Sequence, residues 1–76
     1  MKTVYSIKKS AVILDDGNFL LTYGIDAIDK ESGNLVSDFR DVSVNKKFTE
    51  HIVSLLNDSE IEICHFHEVV IDELNR

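Results

Sequence analysis

Apolar and polar residues alternate through much of the first forty positions, the period of a half-buried β-strand. The clearest run is residues 18–29, where Phe19, Leu21, Tyr23, Ile25 and Ala27 fall on one face and Thr22, Gly24 and Asp26 on the other. Residues 3–14 place Tyr5, Ile7, Ala11 and Ile13 at odd positions, interrupted by Lys9, and Asp15-Asp16-Gly17 supplies a hairpin turn. A two-residue turn at Asp16-Gly17 would set Lys8, Ser6 and Val4 against the odd face of the second strand, which makes a poor core. A three-residue loop with Gly17 in the left-handed region instead pairs Ile13 with Phe19, Ala11 with Leu21, Ile7 with Ile25 and Tyr5 with Ala27. A break at Lys8-Lys9-Ser10 would move the outer pairs by one.

A second turn in residues 30–34 leads to a third strand over about residues 35–42. Leu35 and Phe39 share one parity while Val36 and Val42 share the other, which predicts a bulge near Asp38 or Arg40. After Ser43 the period becomes helical: Phe48, Ile52, Leu55 and Leu56 recur at i, i+4, i+7 and i+8. Ser43 or Asn45 can cap this helix and Asn57 can end it in the left-handed region, while Lys46 and Lys47 oppose the helix dipole in the first turn. Ile63, Phe66, Val69, Val70 and Leu74 predict a second helix starting near Cys64 or His65, with a short strand through Ile61 and Ile63 as the alternative for its beginning. The expected fold is a single α+β domain over residues 1–76. A β-meander (3–42) packs on two helices (about 45–57 and 64–74) in two layers, in the order β-β-β-α-α.

Composition narrows the functional classes. Fourteen acidic against eight basic residues give a net charge of −6, which disfavours a polyanionic partner such as nucleic acid or an anionic membrane surface. Residues 1–40 hold five basic and six acidic side chains and residues 41–76 hold three and eight, so the acidity belongs to the C-terminal half. A basic protein partner would dock there, on Glu68, Asp72 and Glu73. The longest apolar run, Ala11-Val12-Ile13-Leu14, is far short of the roughly 18 residues that span a bilayer. No secretory leader is visible at Met1-Lys2, and the lone Cys64 fits a reducing compartment, so the expected location is cytoplasmic.

Candidate chemistry is sparse. Cys64, His65 and His67 form the densest set of soft metal ligands, with His51 as a distant fourth. On a helix, however, His65 and His67 stand about 200° apart. His67-Glu68-Val69-Val70-Ile71 begins like a zinc-protease motif but has Ile71 where the second histidine must be. The plainer reading makes Cys64 a small buried residue, His65 a helix-start residue and His67 exposed. No nucleophile elbow, phosphate loop or dinucleotide fingerprint occurs, and the expectation is a non-enzyme without cofactor. Gly24, inside a strand, marks either a local bulge or ring lying over it, or the close approach of a partner's backbone. If the odd face of the hairpin meets the helices, the even face shows Val12, Leu14, Leu20, Ile28 and, from the third strand, Val36, an apolar surface that calls for a partner, most simply a second copy in a homodimer.

Thr22-Tyr23-Gly24-Ile25, Asp41-Val42-Ser43 and the ending from His65 to Leu74 give the chain a resemblance to a family of short Gram-positive bacterial proteins of unknown function. That resemblance implies a bacterial cytoplasmic origin and the same element order, with His65-Phe66 opening the last helix and His65 as the histidine with a fixed structural job. Together these readings point to a protein–protein interaction or regulatory module without catalysis. The alternative is a metal-binding or thiol-responsive module on Cys64, His65 and His67.

Overall fold

Three antiparallel strands, β1 (Thr3–Ile13), β2 (Phe19–Asp29) and β3 (Leu35–Ser43), form one sheet in the order β1-β2-β3 in the computed structural model, which describes residues 2–76. Two helices, α1 (Lys46–Asp58) and α2 (Phe66–Leu74), pack on one side of it, giving the two-layer β-β-β-α-α arrangement. The hairpin register is that of the three-residue loop: Ile13 faces Phe19, Ile7 faces Ile25 and Tyr5 faces Ala27, with no break at Lys8-Lys9-Ser10. Gly17 sits at φ +89°, a left-handed conformation that costs a side-chain-bearing residue about 1 kcal/mol or more.

Besides a register shift between the Ala27–Ser37 and Ile28–Leu35 pairs, β3 bulges between the Tyr23–Ser43 and Ile25–Phe39 pairs, across Arg40, while Asp38 itself pairs regularly with Asp26. Asp41 takes a left-handed φ of +53° there. Its carboxylate accepts from Thr22 Oγ1 at 2.6 Å and from Ser10 Oγ at 3.2 Å, which offsets the strain. The same bulge accounts for Gly24. A Cβ at that position would stand 2.6 Å from the Phe39 carbonyl oxygen and 3.4 Å from Lys8 Cε. Local geometry within the chain explains the glycine without any partner backbone.

Tyr5, Ile25, Ala27, Val42, Ile52, Leu56, Phe66 and Val70 are buried together between sheet and helices, and the Tyr5 and Phe66 rings lie 5.1 Å apart. Asn45 caps α1 by accepting the Phe48 N–H. Asn57 does not end that helix. Its side-chain amide instead accepts from Tyr5 N–H and donates to the Tyr5 carbonyl, both at 2.9 Å, acting as a one-residue substitute strand on the free edge of β1. The left-handed residue past the helix is Glu60, at φ +48°. A 3-10 turn, Ile63–His65, occupies the place offered to a short strand and leads directly into α2.

The helices cover only half of the hairpin. An eleven-residue strand extends roughly 36 Å, whereas the thirteen residues of α1 rise roughly 20 Å. Ser43 pairs with Tyr23, so β3 ends and the chain turns toward α1 at that level. Beyond it the hairpin continues alone as a two-stranded ribbon, consistent with the elongated 43 × 30 × 18 Å shape of the chain.

Candidate functional site: the hairpin arm

Every residue from 11 to 21 is exposed. Only the turn is polar, and the other seven are Ala11, Val12, Ile13, Leu14, Phe19, Leu20 and Leu21. The expected even-face residues are open to solvent: Val12 at 37%, Leu14 at 42% and Leu20 at 43%. The odd face departs from expectation in this region. Ile13 is 77% exposed and its cross-strand partner Phe19 is 75%, so the odd positions meet the helices only from Tyr5 to Ile7 and from Ile25 to Ala27. The arm is therefore apolar on both sides, and its most exposed side chains lie on the face that continues the core.

The root of the arm is fixed by polar contacts on the even face. Ser10 Oγ and Thr22 Oγ1 are 3.0 Å apart, and the buried Thr22 hydroxyl donates to Asp41. Next to them Lys8 Nζ lies 2.8 Å from both Asp26 Oδ1 and Asp38 Oδ2, and Arg40 Nε is 3.3 Å from Asp38. The close Asp26 carboxylate and then the hydrogen bond to Asp38 raise the Lys8 pKa, and the Lys8 hydrogen bond lowers that of Asp38, helped by Arg40. Both cations on this side of the root are thus engaged by carboxylates.

On the odd face the arrangement is reversed. Lys9, Tyr23 and Ser43 form one row across the sheet, and α1 begins with exposed Lys46 and Lys47 just beyond it. The first turn of α1 contains no acidic residue, and the one ion pair of this group, Lys46 with Glu50 at 3.8 Å, is exposed on both sides. At the far end, the tip carries Asp15 and Asp16. Asp16 is held by Asn18, whose backbone N–H and side-chain amide each donate to it at 3.0 Å and lower its pKa.

The Cys64, His65 and His67 set divides. Cys64 is exposed rather than buried, and its Sγ, a nitrogen of His65 and a carboxylate oxygen of Glu62 lie within 4.8 Å of one another. His67 points the other way: its ring meets Phe39 and Phe66 edge-on, and Nε2 is 3.2 Å from the Asp38 carbonyl oxygen and 3.3 Å from Ser37 Oγ. His67 has the fixed structural role, while His65 caps nothing with its side chain and sits 3.6 Å from Glu68. His51 is exposed on α1 and does not join the cluster. Glu62, which sequence spacing did not flag, replaces His67 because the 3-10 turn folds residue 62 back toward residues 64 and 65.

The acidic stripe is also broken. Glu68 and Asp72 are exposed, but Glu73 is buried, with Arg76 Nε 3.6 Å from its carboxylate. It follows Phe66 by seven residues and Val70 by three, and so falls on the packed face. A half-open groove of about 780 Å³ lies at the opposite end from the arm, lined among others by Val4, Glu31, Asn57, Glu60 and Ile61. Among the described residues, no helix is long and apolar enough to cross a membrane. Neither a known protein family, nor a curated protein, nor a solved structure matches the chain.

Proposed function

We propose that the protein is a small cytoplasmic interaction module without catalysis, whose working surface is the hairpin arm and whose first partner is a second copy of itself. The observation that carries this reading is the run of eleven exposed residues, seven of them apolar. A two-stranded ribbon is marginal in water by itself, and apolar patches of this kind are normally covered. The six large side chains of the arm, each 37–77% exposed, leave on the order of 600 Å² of apolar surface open over its two faces, the size at which a patch is normally functional or covered. Val12, Leu14 and Leu20 belong to this surface, with Ile13, Phe19 and Leu21 as its more prominent side. The double substitution Ile13→Ser and Phe19→Ser leaves far-UV circular dichroism unchanged and abolishes the concentration-dependent dimer in sedimentation equilibrium. A wild-type chain that is monomeric at about 500 µM, where even weak homodimers form, contradicts the reading.

A second reading, metal binding or thiol response, rests on the convergence of Glu62, Cys64 and His65. Three donors with an open fourth position suit zinc. Under the interaction reading, equimolar zinc leaves the melting temperature where it was. A rise of several degrees that disappears in Cys64→Ser supports the metal site instead.

A further inference from the structure

The charges at the two ends of the arm are complementary, and the geometry points to an antiparallel twofold dimer in which the odd face of each arm packs on that of its partner, tip against root. This inference rests on self-association through the arm and specifies how it occurs. Asp15 and Asp16 at the tip carry two negative charges, and the arm has no ionisable side chain between residues 10 and 15 or between residues 16 and 23. The odd-face root carries Lys9, Lys46 and Lys47, and among the described residues only Lys46 of these has an acidic neighbour within ion-pair distance. A twofold axis through the middle of the arm brings each tip to the other copy's lysines and stacks the exposed Ile13–Phe19 pair against its counterpart. The even face does not offer this. Its root holds Asp26, Asp38 and Asp41, with Lys8 and Arg40 already paired, and it would repel an incoming Asp15 and Asp16. The arrangement also gives a role to lysines that oppose the dipole of their own helix, since the exposed first turn of α1 becomes a receptor for a carboxylate.

The test is a charge exchange in the full-length chain, read by sedimentation equilibrium at low salt. Asp15→Lys alone, which leaves the tip without net charge, and Lys9→Glu with Lys47→Glu, which sets a negative root against the negative tip, each weaken self-association roughly tenfold. Mixed in equal amounts, the two variants form a heterodimer tighter than either variant's own dimer, because one of its ends keeps Asp15 and Asp16 against three lysines. Circular dichroism confirms that both remain folded, and glutamate in the first turn of α1 favours the helix. A wild-type dimer whose affinity is unchanged in both variants, or variants that fail to recover on mixing, overturns the tip-to-root arrangement while leaving self-association standing. A wild-type chain that stays monomeric overturns both.

Discussion

Gly24 shows how one residue records a contact made elsewhere in the chain. A glycine in the middle of a strand is conspicuous in the sequence, but its cause, the backbone of residues 39 and 40 folding over it at the β3 bulge, depends on a strand fifteen residues away. Gly24→Ala forces the Phe39 carbonyl and the Lys8 stem to move. It is expected to cost about 1–3 kcal/mol in urea unfolding, the range for overpacking a tight site. An unchanged midpoint would mean that the bulge yields without strain. Asn57, His67 and Glu73 share the same limit on legibility. Each has an unremarkable local context, and each acquires its role from a partner distant in sequence or from the exact phase of a helix: Tyr5, Phe39 and the Phe66–Val70 face.

Among the elements, the hairpin was the most legible, because turn chemistry and side-chain parity independently select the same register. The bulge in β3 announced itself by mixed parity. The start of α2 did not, since a 3-10 turn and a short strand both suit Ile61 to Ile63 before β-branched residues. Helix cover stops short of the apolar pattern of the strands for a physical reason. Periodicity tells which face of a strand is apolar but not how far along that face a partner reaches, and helices advance less than half as far per residue as strands. The arm is the excess length. Its residues make no core contacts, so Ile13→Ser with Phe19→Ser should change the unfolding free energy of dilute monomer by no more than about 0.5 kcal/mol, in contrast to Gly24→Ala. A loss of several kcal/mol would place these side chains in the core of the monomer.

At the scale of the whole molecule, the pH dependence of stability follows from a few paired charges and from burial of Tyr5. Asp38 is held below the ordinary carboxylate range by Lys8 and Arg40, so its contribution is present above about pH 4 and is lost as the pH falls through its lowered folded value. Lys8 is raised by Asp26 and Asp38, and Tyr5 is raised by burial and then by Cys64, with its hydroxyl donating to the Ile61 carbonyl at 2.6 Å. Their contributions are present below about pH 10 and are lost as the pH rises through the raised values. Thermal melting across pH should therefore show a plateau between about pH 5 and 9 with a fall on either side. A maximum outside that interval would contradict these assignments.

Small size limits the core of this chain, and the unused length of its hairpin sets six exposed large apolar side chains together on one projecting arm. The claim that a second copy covers that arm is tested most directly by amide hydrogen exchange at about 1 µM and about 500 µM, which spans the range of weak dimerisation. The account predicts slower exchange at the higher concentration, confined to residues 11–21 and the adjoining first turn of α1. Identical exchange in the arm at both concentrations would contradict it.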